Sequence, residues 1–382
     1  MTDVCLILEG SYPYVTGGVS AWVRDLVAGL PDVEFAVAHV RDADAGEAAL
    51  AYALPDNVVS LVEVPFDPER ESAPADAVPE AAVYHALLTG PAGSLAAGVA
   101  RDRGRKLLLT EHGLAWREAP LGSPKCIKSS GPAVPRGANR REVVERYSRR
   151  VLEQARETYA QAAAITTVCS ENARLQRTQG APRALQRVVP NAVPTAEAVS
   201  PGPGAPRRIG FVGRVVPIKD VHTFLRACRL VADQDRNAEF AVIGPLDQDR
   251  EYAASCVELA ASLGLEVAFT GETDPEPWYR TLDTVVLTSI SEAQPLALLE
   301  AMAHGLPVVA TAVGGCPELV RGAGLLTAPR DPRATARALL ALADPELRRR
   351  LGATGRERAL ALHAPERLLA AYRELYEQAV AA

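Results

Sequence analysis

A chain of 382 residues is long enough for two domains of about 150–200 residues each, and 48% hydrophobic with 23% charged residues is ordinary for a globular protein with a sizeable core. A net charge of −6 leaves no basic field for nucleic acid. The six cysteines are scattered, with no C-x-x-C pair or His/Cys cluster, which argues against a zinc site or a disulfide framework and suits reduced thiols in a cytoplasmic protein.

The chain opens in an apolar strand at 4–8, without the basic segment of a secretory signal. The loop Ser11-Tyr-Pro-Tyr-Val-Thr-Gly-Gly-Val-Ser20 leads into a helix over 19–30 with Val19, Trp22, Val23, Leu26 and Val27 on its apolar face. Gly17 and Gly18 therefore sit at a helix start. They read either as a tight turn or as a place where amides and helix dipole receive an anion. Strands are expected at 34–40 and 58–64, with polar connections at 42–56 and 65–79. The uncharged stretch 81–100 is interrupted by Gly90, Pro91 and Gly93, which makes it a poor membrane span. It reads as a strand over 82–87, a turn over 90–93 and a helix to about residue 102.

The next strand, Lys106-Leu-Leu-Leu-Thr110, ends in Glu111, His112 and Gly113, with Arg117 close behind. His112 can donate to a sugar hydroxyl or a phosphate near pH 7, or be a satisfied structural histidine. Arg117 offers a planar fork to an acidic group. Residues 119–138 are rich in Gly, Pro and Ser and read as an acceptor lid or a plain surface loop. A helix over 140–161, a strand over 165–168, a helix over 171–179 and a short strand over 187–193 follow. The proline-rich stretch 194–206 is the clearest linker, so the domains are expected at 1–194 and 207–365, with 195–206 between them.

The second half restarts the alternation. A strand over 208–212 runs into a loop carrying Gly213, Arg214 and Lys219, two cations suited to a diphosphate. A helix over 220–232, a strand and turn over 239–245, a helix over 251–263, a strand and turn over 267–271 and a short helix over 278–282 come next. The apolar run 284–287 is a buried strand. Pro295 is placed in the first turn of a helix that presents Leu296, Leu299 and Ala303 and ends at Gly305, before a strand over 308–312. Glu292 lies in the loop and Glu300 on the helix. Free amides at Leu296 and Ala297 suit a phosphate. Carboxylates for sugar hydroxyls beside amides for phosphate describe a nucleotide-sugar site; solvated surface charges are the other reading. Gly314-Gly-Cys-Pro-Glu318 repeats the pattern of a turn with Pro at a helix start. The tail is helical, and its last helix, 366–382, is expected to complete the first domain. Repeated βα alternation implies two Rossmann-like, doubly wound halves with the cleft between them as default site.

Three motifs carry a resemblance: Glu9-Gly-Ser-Tyr-Pro-Tyr-Val-Thr-Gly-Gly-Val-Ser, Thr110-Glu-His-Gly-Leu, and Thr288-Ser-Ile-Ser-Glu-Ala-Gln-Pro-Leu with the Glu300-Ala-Met-Ala-His-Gly-Leu-Pro run behind it. Together with Gly213-Arg214 and Lys219 they resemble glycosyltransferase family 4, and within it the PelF-type exopolysaccharide branch. The resemblance implies the GT-B fold, two Rossmann-like domains facing each other across a cleft. It implies retaining transfer of a hexose from a nucleotide diphosphate sugar, UDP-sugar first, to a glycan or small-molecule hydroxyl. It further implies a cytoplasmic enzyme in exopolysaccharide synthesis, peripherally associated with a membrane export complex, needing no metal or other cofactor. By residue, Gly17 and Gly18 would line the donor phosphate and the acceptor side, and His112 would approach the transferred sugar. Arg214 and Lys219 would neutralise the diphosphate, Glu292 would meet the sugar hydroxyls and Glu300 the ribose. Gly213, Gln294, Pro295, Leu296 and Ala297 would contact the donor, with Gly244, Thr270 and Gly271 framing the base. Tyr14, Glu111 and Arg117 would belong to the acceptor side. An epimerase or phosphorylase on the same fold, or a non-catalytic sugar-nucleotide-binding subunit, are the other readings.

Overall fold

The computed structural model describes residues 2–42, 49–67, 73–118, 139–199 and 207–381. The lid expected at 119–138 and the second half of the linker, 200–206, lie outside the described residues. Two compact units emerge. One holds the described residues up to Asn191 together with the C-terminal helix; the other is Ala192–Pro365.

The first unit alternates β1 (Thr2–Glu9), α1 (Gly18–Gly29), β2 (Phe35–Asp42), β3 (Val58–Phe66), β4 (Ala81–Ala86), α2 (Pro91–Asp102), β5 (Lys106–Glu111), α3 (Ala115–Glu118), α4 (Arg140–Gln161), β6 (Ala164–Thr167), α5 (Ser170–Thr178) and β7 (Gln186–Val188). The seven strands form a parallel sheet in the order β3-β2-β1-β4-β5-β6-β7. Residues 4–8 of β1 are wholly buried, as the centre of a sheet covered on both faces requires. The strand order reverses between β1 and β4, so the loops that follow these two strands border the switch point of this sheet.

The second unit contains β8 (Arg208–Val212), α6 (Val221–Ala232), β9 (Glu239–Ile243), α7 (Arg250–Ser262), β10 (Val267–Phe269), α8 (Glu276–Tyr279), β11 (Thr284–Leu287), α9 (Leu296–Ala303), β12 (Val308–Thr311), α10 (Cys316–Val320), β13 (Gly324–Thr327), α11 (Pro332–Ala341) and α12 (Pro345–Leu362). Its six strands are also parallel, in the order β10-β9-β8-β11-β12-β13. The switch point is between β8 and β11, where Val285 pairs with Gly210. α9 is buried along Leu298, Leu299, Ala301, Met302 and Ala303, a wider face than a surface stripe. α12 covers it, and Gly352 and Gly355 permit the approach: a Cβ on Gly352 would overlap the Gly305 carbonyl, and one on Gly355 would press on Met302.

The last helix, α13 (Pro365–Ala381), packs in the first unit. Leu368, Tyr372, Leu375, Tyr376 and Ala379 form its buried face. Arg373 grips Asp32 with both terminal guanidinium nitrogens, and a Cβ on Gly29 would collide with Leu369. Beneath it, the Tyr376 hydroxyl meets His85 Nδ1 at 2.8 Å, His85 Nε2 meets Thr110 Oγ1 at 2.8 Å, and Tyr372 meets Thr110 and Thr166 at 2.9 and 3.0 Å. No helix among the described residues is long and apolar enough to cross a membrane.

Several expectations change. The segment over 90–93 is not a turn: α2 begins at Pro91, with Gly90 at φ 108 before it. Gly93 is a helical glycine because a Cβ there would press on the Leu88 carbonyl and Thr158. Pro295 caps α9 rather than opening it. α3 and β13 were not anticipated; both are too short to show a period. The proline-rich stretch begins as packed chain, not linker: Val199 N donates to His304 O at 2.8 Å and Arg356 donates to the Ala196 carbonyl at 2.7 Å.

Candidate functional site

In the second unit the loops after β8 and β11 are stitched together. Ile290 N donates to Ile218 O and the Thr288 hydroxyl to Asp220 O, both at 2.8 Å. Lys219 closes a single 3-10 turn, Pro217–Lys219, and Asp220 reverses the chain at φ 47 before capping α6 through Thr223. The turn delivers the Lys219 ammonium onto Glu292 Oε1, an ion pair whose side chains are 16% and 9% exposed. Ser289 Oγ donates to the same oxygen at 2.6 Å, and Thr311 from β12 holds the Ser289 carbonyl at 2.6 Å. The Glu292 carbonyl accepts Gly315 N at 3.3 Å. Gly314 must be glycine: its φ is 51 and a Cβ would overlap the Glu292 carbonyl. Side chain and backbone of Glu292 are thus both held by residues from three loops.

Beside this pair α9 starts without a side-chain cap. Its first intrahelical bond is Leu298 N to Pro295 O, so the amides of Leu296 and Ala297 precede the ladder. Glu300, one turn on, accepts the Tyr279 hydroxyl at 2.6 Å. Burial raises its carboxyl above the ordinary range, and the Tyr279 bond pulls it back in part. Gln294 is half-buried on the same loop.

The glycines at the ends of β8, β9 and β10 form a continuous backbone edge. Gly213 N donates to Ile243 O at 2.8 Å, and Gly244 faces Gly271 across a single antiparallel bridge. A Cβ on Gly244 would overlap the Gly213 carbonyl. Thr270 N donates to Val242 O at 3.1 Å, and its hydroxyl donates to Gly271 O at 2.9 Å. Arg214 is exposed and donates to Gln248 Oε1 at 3.1 Å rather than to either carboxylate. Among the described residues no group of three His, Cys, Asp or Glu side chains is arranged to hold a metal ion.

In the first unit, Gly17 and Gly18 are exposed at the start of α1, which also lacks a side-chain cap. His112 stands edge-on to Trp22, with ring centroids 4.6 Å apart, and pairs with Asn191. Its Nε2 is buried without a protein partner. Burial lowers its pKa to about 4, so the ring is neutral at pH 7. Tyr14 packs edge-on to His39 and bonds Glu63, which Arg41 also holds. Arg117 lies half-buried on α3 and favours the charge of Glu171.

Glu111 requires correction. It was expected on the acceptor side, but it is fully buried. Tyr159, Thr89 and Gln176 donate to its carboxylate at 2.5, 2.7 and 2.8 Å. Burial raises its carboxyl while these donors oppose the rise. It is an internal anchor between β5, α4 and α5, out of reach of an acceptor. Sequence reasoning also passed over Ser289, Tyr279 and His304, which hold Glu292 and Glu300. Ser289 was visible as a small polar residue in the loop after a buried strand; the other two carried no local signal.

Residues 206–344 match the family model described as glycosyl transferases group 1. The second unit belongs to that family. Residues 2–77 and 72–184 match a domain of unknown function, DUF3492. The chain is 37% identical over 156 residues to a D-inositol 3-phosphate glycosyltransferase of Streptomyces griseus, covering 37% of this chain and 33% of that protein. It spans a third to under a half of the length of the curated relatives it matches. Sucrose-phosphate synthase from Thermosynechococcus elongatus aligns over 99% of both chains with TM-score 0.71 and 21% identity. Anabaena HepE, solved with UDP and glucose, aligns over 99% of this chain and 100% of its own with TM-score 0.78 and 19% identity. The two units have the GT-B fold, each built on a parallel α/β sheet.

Proposed function

We propose that this protein is a retaining glycosyltransferase that moves a hexose from a UDP-sugar to a hydroxyl of a glycan or small acceptor. The contact between Lys219 and Glu292, made by the two switch-point loops beside the open amides of α9, carries the reading. HepE, of the same fold, is solved with UDP-glucose, which favours UDP as the donor nucleotide.

In this reading the diphosphate rests on the amides of Leu296 and Ala297 and on Lys219 and Arg214. The bond from the anomeric carbon to the β-phosphate oxygen breaks, and its electron pair stays on the phosphate. The acceptor oxygen bonds the same carbon from the same face, and its proton passes to the leaving oxygen. Charge grows on the phosphate as the reaction proceeds, so cations and amides already aimed there lower the barrier. They supply what a metal would, and no metal is required. Lys219 then divides its charge between Glu292 and the phosphate, while Glu292 holds sugar hydroxyls. Gly213, Gly244, Thr270 and Gly271 frame the base, with Gln294 and Pro295 shaping the loop. For the first unit the reading assigns substrate contacts to Gly17, Gly18 and a neutral His112, and acceptor contacts to Tyr14 and Arg117. The motif resemblance extends the proposal to a cytoplasmic role in exopolysaccharide synthesis, peripheral to a membrane export complex.

The test is release of free UDP from UDP-hexoses with a panel of glycan and small hydroxyl acceptors. Turnover is expected only with acceptor, unchanged by EDTA, with the product's anomeric coupling matching the donor's. Lys219→Ala and Glu292→Gln should each lower kcat by about 100-fold or more. Full turnover in both variants, or no turnover with any UDP-, GDP- or ADP-sugar, overturns the assignment.

A further inference from the structure

α8 has no place in the mechanism above, yet it aims one side chain at the site. Tyr279 is 1% exposed. Its hydroxyl donates to Glu300 Oε2 at 2.6 Å and lies 3.4 Å from the Ala297 carbonyl. Burial first, and the Glu300 charge next, push the phenol well above its ordinary range, so it keeps its proton and can only donate to the carboxylate. The other carboxylate oxygen, Oε1, takes no hydrogen bond from any described residue, and Glu300 is half-buried rather than fully enclosed. One oxygen is therefore anchored and the other presented.

Tyr279 is itself pinned. Its ring stacks on His304, with centroids 5.1 Å apart and planes 29° apart. His304 is 2% exposed. Its Nδ1 faces the Glu300 carbonyl at 2.8 Å, and its Nε2 faces the Glu276 carboxylate at 3.0 Å. The ring is held between these two oxygens. The chain of contacts runs from α8 to the end of α9 and back to Glu300. It fixes a phenol where a surface tyrosine would rotate freely, and a rigid donor is what a binding carboxylate needs to keep one geometry.

We propose that Tyr279 is the positioning residue for Glu300: it anchors one carboxylate oxygen so that the other is offered to the ribose hydroxyls of a nucleoside diphosphate. The inference rests on the reading of the second unit as the donor side. A ribose hydroxyl that donates to an aligned carboxylate oxygen is recognised by direction as well as charge. Loss of the anchor therefore removes discrimination between ribose and its deoxy analogue, beyond any loss of affinity.

The experiment is calorimetric titration of the full chain with UDP and with 2′,3′-dideoxy-UDP, for wild type, Tyr279→Phe and Glu300→Gln. Tyr279→Phe keeps the ring on His304, and its thermal midpoint checks that the fold survives. Wild type is expected to prefer UDP by about tenfold, the scale of one hydrogen bond to a charged group, and both variants to bind the two nucleotides alike. If Glu300→Gln loses the preference and Tyr279→Phe keeps it, the positioning role is wrong while the donor reading stands. If wild type binds UDP without preference, the ribose role of Glu300 falls, and the positioning role with it. If neither UDP nor, in the same design, GDP or ADP binds, the donor reading itself is overturned.

Discussion

Lys219 and Glu292 are close enough to full burial that removing one leaves the other as an uncompensated charge, a loss of about 3–5 kcal/mol in a fully buried pair. A double-mutant cycle of Lys219→Met and Glu292→Gln in urea is expected to show a coupling of about 1–3 kcal/mol, with the double variant more stable than the sum of the singles predicts. Additive losses would mean that the pair does not contribute as a pair. His39 is the opposite case. It is 6% exposed, and neither ring nitrogen has a hydrogen-bond partner. Burial, then Arg41, lower its pKa to about 4, with Glu63 opposing. As pH falls, the unfolded chain takes its proton near the ordinary 6.5 and the folded chain only near 4. The stability His39 contributes is full above about 6.5 and is lost as pH falls toward 4, at about 1.4 kcal/mol per pH unit. His39→Leu should therefore match wild type at pH 7.5 and exceed it increasingly from pH 6.5 to 4.5 in denaturant melts. A parallel decline of both proteins would refute this.

At the scale of elements, the Thr110 hydroxyl joins β5 to α13. It meets His85, Thr166 and Tyr372, the three bonds a hydroxyl can make. Thr110→Val leaves the buried His85 Nε2 without its partner, while Thr166 and Tyr372 keep each other, and should cost about 2–3 kcal/mol; Tyr372→Phe leaves both threonines with other partners and should cost about 1 kcal/mol. Urea midpoints in the reverse order would show that the network is not centred on Thr110. The Gly314 turn belongs to the same scale. Alanine there needs a backbone shift to clear the Glu292 carbonyl and adopts a left-handed φ, a strain of about 1–3 kcal/mol. The Gly314→Ala variant is expected to lose most of its turnover although residue 314 contributes no side chain to the chemistry. Wild-type kcat in a folded Gly314→Ala protein would show that Glu292 tolerates displacement.

For the molecule as a whole, the proposed donor binds only folded chain, and stability must respond. UDP at 100 times its dissociation constant should add about 2.7 kcal/mol, read as a raised melting midpoint that GDP and ADP raise less. Equal shifts with all three nucleotides would remove the preference for uracil. Lys219→Ala, which loses a phosphate contact in this reading, should need more UDP for the same shift.

Strands β8 and β11 were legible to the residue, because an apolar run bounded by polar residues has few other ways to be buried. So was the alternation that dictates parallel sheets, and with it the rule that chemistry gathers in loops after strands. Strand order is a different kind of fact. It is set by pairing between distant segments, and only it brings Lys219 onto Glu292, 73 positions away. The same long-range packing buries Glu111 among Thr89, Tyr159 and Gln176, turns Arg214 to Gln248, and places Tyr279 under Glu300. Local sequence determined which residues carry charge at the ends of strands. The tertiary structure decided which of those charges meet, since a loop's neighbours are chosen by the sheet beneath it.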